Sequence, residues 1–243
     1  MSKPLVRLYV TQPLSEGAQI TLPREASHYL IEVMRLTAGD AVAVFDGQNG
    51  EWEATIDDPH RKQAKLTARR QLRPQEAVPD LWLLFAPIKH GRIDFIAEKA
   101  CELGVAHVKP VITRRTIVAR VPVERLKANM VEAAEQCGRT ALPTLAEPVQ
   151  LEKLLADWPE DRLLLFCDET GGQPMLEALK ERPRGAPAAI LIGPEGGFTD
   201  DERRMIRSLP SAVPLSLGPR ILRADTAAVA AISLWQAAQG DWA

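Results

Sequence analysis

The segment of this chain best suited to binding a ligand is a glycine-rich hexapeptide, Gly-Pro-Glu-Gly-Gly-Phe, at residues 193–198. Glycine tolerates positive φ and lets the backbone approach a ligand closely. A single Gly-Gly pair would fit a tight structural turn, whereas three glycines with a proline and a glutamate favour a ligand-binding loop. Neither Gly-x-x-x-x-Gly-Lys-Ser/Thr nor Gly-x-Gly-x-x-Gly occurs, so the two common phosphate-binding loops are not indicated.

The segments around this loop place it at the end of a strand. The apolar run Ala188–Ile192 predicts a buried strand, and Thr199 with Glu202 forms a capping box that predicts a helix start. A similar unit follows, with a predicted strand at 213–217, a glycine-bearing loop at 218–227 and an alanine-rich helix. Because open α/β sheets bind ligands beyond the carboxyl ends of their strands, we expect the two loops to line one pocket.

Composition indicates an ordinary globular chain of one large or two smaller domains. Its 243 residues are 46% hydrophobic and 26% charged, with a net charge of −2. The charge is nevertheless uneven, because residues 60–73 hold six Lys or Arg and no acid. A second basic stretch spans residues 109–127, opposed there by Glu124 alone. Such stretches suit contact with phosphates, or they form solvated edges.

Cysteines and histidines give no sign of a metal site. The three cysteines are far apart without a Cys-x-x-Cys pair, and His28, His60, His90 and His107 lack ligand spacing. The start, residues 1–4, lacks the apolar region of a signal peptide, and no run reaches the length of a membrane span. We therefore expect a cytoplasmic protein without a metal.

The hydrophobic pattern changes character along the chain. Residues 1–73 look β-rich, with Asp-Gly and Asn-Gly turns between alternating runs and one helix near 26–36. Residues 74–80 contain two prolines and predict a linker. From residue 81 to 243, buried strands alternate with amphipathic helices, which predicts a parallel sheet with helices on both faces. The predicted fold class is α/β with a small N-terminal β-barrel-like domain.

Four segments, taken together in this order, resemble the bacterial 16S ribosomal RNA uracil-N3-methyltransferases of the SPOUT class. They are residues 98–105, 135–139, 191–198 and 217–223, and the resemblance extends over essentially the whole chain. After Arg223 the family often has Thr-Glu-Thr, where this chain has Ala-Asp-Thr with a carboxylate one methylene shorter.

The resemblance implies an N-terminal PUA-like RNA-binding domain and a C-terminal α/β trefoil-knot domain. It further implies S-adenosylmethionine as methyl donor, a homodimer and 16S rRNA, within the 30S subunit, as substrate. It implies cofactor binding by the two loops, without a metal. The cofactor-binding candidates are Ile192, Gly193, Pro194, Glu195, Gly196, Gly197, Leu217, Gly218, Arg220, Ile221 and Leu222.

A methyl transfer to uracil N3 requires removal of the N3 proton and stabilisation of the resulting negative charge. Arg223 and Arg139 are candidates for stabilising that charge, with Arg7 or Arg35 of the first domain as alternatives. Glu195 and Asp225 are candidates for accepting the proton. Each candidate also has a structural alternative. Glu195 could bond the backbone of its own turn, and Asp225 could cap a helix. Arg223 and Arg139 could instead bind phosphates or form ion pairs in a dimer.

An RNA substrate implies basic side chains that position the phosphate backbone and a pocket for an unstacked uridine. The RNA-binding candidates are Arg7, Arg35, Arg61, Lys62, Lys65, Arg69, Arg70, Lys89, Arg92, Arg114 and Arg115. Two alternatives stay open. One is a SPOUT methyltransferase acting on tRNA or on a ribose 2′-hydroxyl, and the other is an RNA-binding protein without catalysis.

Overall fold

The computed structural model describes residues 5–89, 91–118 and 120–242. The chain divides into two compact units. Unit 1 comprises Met1–Ala77 with Ala134–Leu142, and unit 2 comprises Val78–Ala133 with Pro143–Ala243. The predictions that involve residues 1–4 and His90 fall outside the described residues. The division at 1–73, 74–80 and 81–243 stays a prediction, and the structure adds to unit 1 a segment, 134–142, that is remote in sequence.

Unit 1 is built on a five-stranded mixed sheet in the order β1-β3-β4-β5-β2. The pair β1–β3 is parallel and the other neighbours are antiparallel. The helix expected near 26–36 begins slightly earlier and passes into a π-helical turn, Tyr29–Val33. The elements are β1 (Arg7–Tyr9), β2 (Gln19–Thr21), α1 (Arg24–His28), β3 (Ala41–Phe45), β4 (Glu51–Asp58) and β5 (Lys65–Arg73).

The predicted hairpin between β3 and β4 is confirmed. Asp46 organises its turn, because one carboxylate oxygen accepts from the backbone N–H groups of Gln48 and Asn49 at 2.9 and 2.7 Å. Gly50, with φ of 77°, lies so close to the Arg73 carbonyl that a Cβ atom would be 2.3 Å from that oxygen. Only glycine fits there without moving the adjacent strand.

Unit 2 contains an all-parallel sheet in the order β11-β13-β10-β12-β6-β7-β8, with β9 paired to β7. Its strands are β6 (Leu81–Phe85), β7 (His107–Ile112), β8 (Thr144–Leu145), β9 (Val149–Gln150), β10 (Leu163–Cys167), β11 (Gln173–Pro174), β12 (Ala188–Ile192) and β13 (Ala212–Ser216). Its helices are α2 (Arg92–Glu102), α3 (Val123–Cys137, whose last residues belong to unit 1), α4 (Leu151–Ala156), α5 (Met175–Lys180), α6 (Asp200–Arg207) and α7 (Ala224–Gln239).

The central strands of this sheet are buried, as continuous apolar runs require. Every residue of β12 is buried. Alternate residues of β6, β10 and β12 pack with α4 and α6 in one hydrophobic cluster, while α7 packs against β12, α2 and α5. The predicted alternation of strands and helices around a parallel sheet is confirmed. It brings the carboxyl ends of β12, β10 and β13 to one edge, where the functional site lies.

Candidate functional site

A cavity of about 280 Å³ opens at the carboxyl ends of three neighbouring strands, β12, β10 and β13. This is the edge at which parallel α/β sheets bind their ligands. Its walls come from the segments that follow each strand, so residues far apart in sequence share one surface. The lining residues are Cys167, Asp168, Glu169, Ile192, Gly193, Pro194, Glu195, Gly197, Phe198, Leu215, Ser216, Leu217, Gly218, Pro219, Arg220, Ile221, Leu222, Arg223, Ala224 and Ala227.

The loop after β12 forms the first wall, and its glycines are required by space. The Gly197 N–H donates to the Pro194 carbonyl at 2.8 Å and closes the turn. Gly197 has φ of 67°, and a Cβ there would lie 2.3 Å from a Glu169 carboxylate oxygen. A Cβ on Gly193 would lie 2.6 Å from the buried ring of Phe198. The backbone itself is therefore the wall, as the glycine-rich sequence predicts.

The capping box predicted at the end of this loop is confirmed. Thr199 accepts from the Glu202 N–H, and the Glu202 carboxylate accepts from the Thr199 N–H at 2.8 Å. The second oxygen of Glu202 accepts from the backbone N–H of Arg114 at 2.8 Å. These bonds fix where α6 begins and therefore hold the far end of the loop in place.

Gly196 differs from the other predicted cofactor residues because it does not line the cavity. It is exposed, and its carbonyl accepts from Arg115 Nη1 at 2.7 Å. Arg115, predicted to bind RNA, thus braces this loop from outside the cavity. All the other predicted cofactor-binding residues line the cavity.

The loop after β13 forms the second wall and carries its positive charge. Gly218 has φ of 112° and its N–H donates to Ser216 Oγ at 3.2 Å. Ile221 is 86% exposed, a large apolar side chain beside the opening. Arg220 and Arg223 are both exposed cavity residues. Arg223 also occupies the N-cap position of α7, which fixes its backbone.

Glu195 faces the same cavity from the first wall as an exposed carboxylate. Among the described residues, no hydrogen bond joins this carboxylate to its own turn, which the Gly197 N–H closes instead. The structure therefore does not favour the interpretation that Glu195 only stabilises the turn.

The third wall, Cys167 to Glu169, was missed by the sequence analysis. Its signal was present, since two acids follow directly after a buried strand. Burial raises the pKa of the Cys167 thiol to about 12. The thiol is therefore protonated at neutral pH, so Cys167 contributes volume and not a nucleophile.

Asp168 anchors this wall to helix α6. Its side chain is 1% exposed and pairs with Arg203 Nε and Arg207 Nη2, each at 3.1 Å. The Thr170 hydroxyl also donates to it at 2.6 Å. Burial alone would raise the pKa of Asp168, but the hydrogen bonds from Thr170 and the two arginines outweigh it and lower the pKa.

This pairing predicts a pH-dependent stability difference between the wild type and Asp168→Asn. Because the folded-state pKa is lowered, the carboxylate stabilises the fold above its ordinary pKa of 3.8, and this contribution is lost as pH falls through the folded-state value. We expect the variant to lose roughly 2 kcal/mol at neutral pH. The loss should shrink on acidification below about pH 4. Denaturant unfolding followed by tryptophan fluorescence measures it, and a pH-independent difference would contradict the assignment.

Asp225 is placed differently from its prediction. It is the second residue of α7 and not its N-cap, and it is not among the cavity residues. Its carboxylate pairs with Arg92 Nη1 at 3.1 Å, joining the starts of α7 and α2. This contact occupies both Asp225, predicted as a proton acceptor, and Arg92, predicted to bind RNA. Both therefore have a structural role.

Arg139 and Arg7 belong to unit 1, where their guanidinium groups are largely buried. Arg139 Nε pairs with Glu76 at 3.1 Å and does not line the cavity, which argues against its catalytic role. Arg7 donates to the carbonyls of Ala134, Glu135 and Arg139 and pairs with Glu51. These contacts hold segment 134–142 within unit 1 and disfavour RNA contact by Arg7.

The remaining RNA-binding candidates fall into two groups, those without an acidic partner and those that form ion pairs. Within the described residues, no acidic side chain pairs with the exposed Arg35, Arg61, Lys62, Lys65 or Lys89. The others make exposed ion pairs that contribute little and open readily. These pairs are Arg69 with Asp57, Arg70 with Glu53, and Arg114 with Glu152 and Asp201.

Residues 5–89, 91–118 and 120–242 contain neither a metal-binding group nor a membrane-spanning helix. No group of three or more His, Cys, Asp or Glu side chains there is arranged to hold a metal ion. No helix in the same residues is long and apolar enough to cross a membrane.

A glycine-walled cavity at the carboxyl edge of a parallel sheet defines the class, an α/β protein with a site for a small organic ligand. A family model described as an RNA methyltransferase domain matches residues 74–236, more than half of the chain. A second, described as an RNA methyltransferase PUA domain, matches residues 22–68. The chain belongs to the RNA methyltransferase family.

Full-length relatives support this membership. The ribosomal RNA small subunit methyltransferase E of Rickettsia conorii is 31% identical over 229 residues, which cover 93% of each chain. A Legionella pneumophila protein solved with SAM bound is 32% identical, with a TM-score of 0.87 over 97% of this chain and 98% of that one. The methyltransferase E of Neisseria gonorrhoeae, solved bound to S-adenosyl methionine, is 26% identical with a TM-score of 0.87, covering 98% of this chain and all of that one. The predicted fold class, an α/β methyltransferase domain on a parallel sheet together with a PUA-like domain, is confirmed.

Proposed function

We propose that this protein methylates N3 of a specific uridine in 16S rRNA, with S-adenosylmethionine as methyl donor. The observation that carries the proposal is the cavity formed by the ends of β12, β10 and β13. It occurs in a chain that matches, over nearly its whole length, relatives named for small-subunit rRNA methylation, one of them solved with the cofactor.

The lining of the cavity suits this cofactor. Its volume of about 280 Å³ lies just below the range of small-molecule sites, which begins at roughly 300 Å³. Ile192, Ile221 and Leu222 offer apolar contact for an adenine ring, and the backbones of the two loops offer carbonyl groups for its amino group. When bound, S-adenosylmethionine supplies a methyl group activated by a sulfonium, so the protein needs no nucleophile of its own.

The protein must also remove the proton from uracil N3 before the methyl group can be transferred to that nitrogen. Arg223 is the cation we assign to the negative charge that builds on the uracil oxygens as the proton leaves. Glu195, exposed on the opposite loop of the same cavity, is the carboxylate we assign as proton acceptor. Asp225 and Arg139 are left out of this assignment because other contacts occupy them.

RNA contact is assigned to exposed cations. Arg61, Lys62 and Lys65 lie around the start of β5 in unit 1, and Arg35 is exposed on the same unit. Their charges suit phosphate contacts, which position RNA without reading its sequence. The proposal further includes the 30S subunit as target, a homodimer as the active form and a cytoplasmic location.

The experiment that tests the proposal is nucleoside mass spectrometry. 30S subunits lacking the modification are incubated with purified protein and S-adenosylmethionine, then digested. Appearance of 3-methyluridine supports the proposal. A 2′-O-methylated nucleoside, or methylation of tRNA alone, would assign another target. Binding of RNA without any new methylated nucleoside would indicate a protein without catalysis.

A further inference from the structure

Glu169 lines the cavity, and the proposed function assigns it no role. It follows β10, and its carboxylate lies against the backbone of Gly197, since a Cβ there would be 2.3 Å from Oε1. The side chain is 42% exposed, so it reaches the opening. A carboxylate in this place faces whatever the glycine loop binds.

Arg203 holds this carboxylate in position. Its Nη2 lies 3.0 Å from Glu169 Oε1, while its Nε bonds the buried Asp168 at 3.1 Å. The Arg203 side chain is 15% exposed and is fixed on α6, the helix that follows the glycine loop. One arginine thus ties the wall after β10 to the loop after β12, which makes Arg203 a positioning residue.

The second oxygen of Glu169 remains available to a ligand. Within the part of the chain that the structure describes, no side chain or backbone group donates to Oε2. Arg203 is shared among Glu169, Asp168 and Asp200, and its contact with Glu169 leaves the lone pairs of Oε2 for a hydroxyl donor. A ribose presents two such hydroxyls.

The strand order also favours a ribose as the group that Glu169 binds. In dinucleotide-binding α/β folds, a glycine loop holds the phosphates, and an acid about 20 residues further along the chain bonds the ribose hydroxyl. Here the acid precedes the glycine loop in sequence, but the sheet brings the two together, because Glu169 follows β10 and the loop follows β12, its direct neighbour. Resting on the function proposed above, we propose that Glu169 accepts hydrogen bonds from the ribose hydroxyls of the cofactor and that Arg203 sets it in place.

The test measures binding by calorimetry to three ligands. They are S-adenosylhomocysteine, 5′-methylthioadenosine, which lacks the amino-acid part of the cofactor, and the 2′,3′-dideoxy analogue of methylthioadenosine. Glu169→Gln and Arg203→Ala should each weaken methylthioadenosine binding roughly tenfold, the effect of losing a charge-assisted hydrogen bond. Binding of the dideoxy analogue should stay within about twofold of wild type, since it lacks the hydroxyls. Arg204→Ala is the matched control, because Arg204 is 77% exposed and pairs only with its helix neighbour Asp201 among the described residues.

Three outcomes would overturn the inference. Equal weakening for both ligands would indicate a general distortion of the wall. Weaker binding of S-adenosylhomocysteine but not of methylthioadenosine would show that Glu169 contacts the amino-acid part of the cofactor. Unchanged affinity in both variants would show that Glu169 does not contact the ligand. If wild type binds neither S-adenosylmethionine nor these probes, the proposed function fails and this inference fails with it.

Discussion

Gly197→Ala is expected to weaken S-adenosylmethionine binding roughly hundredfold, since it combines backbone strain with a steric clash in the wall. Gly197 has φ of 67°, which an L side chain rarely adopts, and the new methyl group would meet the Glu169 carboxylate at 2.3 Å. Glu169 is held by Arg203, so it cannot turn away without breaking that ion pair. Either the loop or the carboxylate must move, and both line the cavity. Calorimetric titration with the cofactor measures the loss.

The matched control is Gly185→Ala. Gly185 has φ of 74°, close to that of Gly197, but nothing lies within 4 Å of its added Cβ, and it does not line the cavity. Both variants place an L side chain at positive φ, so Gly185→Ala controls for the general cost of that strain to folding at a site outside the cavity. We expect Gly185→Ala to bind the cofactor as wild type does. Equal affinities in the two variants would contradict the assigned wall.

Arg223→Ala is expected to lower kcat for methyl transfer roughly 10²- to 10³-fold, the usual effect of removing a group that stabilises charge in the transition state. The side chain is an exposed cation at the cavity on a backbone fixed at the start of α7. Because the adenine contacts come from other residues, the Kd for S-adenosylmethionine should change by less than about threefold. Single-turnover assays with 30S subunits and binding titrations separate the two quantities.

A lysine at the same position retains the charge but not the planar donor geometry, so Arg223→Lys should recover part of the rate. Arg184→Ala is the control for loss of one surface arginine, because Arg184 is exposed on a loop and is not among the cavity residues. If Arg223→Ala keeps kcat and instead weakens RNA binding in a salt-dependent way, Arg223 is a phosphate contact.

Much of the fold is visible in local sequence patterns. The apolar run at 188–192, the capping box at 199–202 and the turn residues after β3 each predict the element found there. These signals are local because strand burial, helix capping and positive φ depend on residues a few positions apart. The two glycine-bearing loops were predicted to share a pocket for the same reason, since each follows a strand.

The rest of the site depends on strand order, which no local pattern contains. β10 lies between β12 and β13, so the acids after β10 become the third cavity wall. The Asp168–Arg203 pair joins residues 35 positions apart. Arg139 and Asp225 are plausible catalytic residues by type, yet contacts with Glu76 and Arg92 occupy them. Periodicity reports which face of an element is buried, and many strand orders satisfy the same periodicity. Only packing of the whole sheet selects which charged side chains meet at its edge.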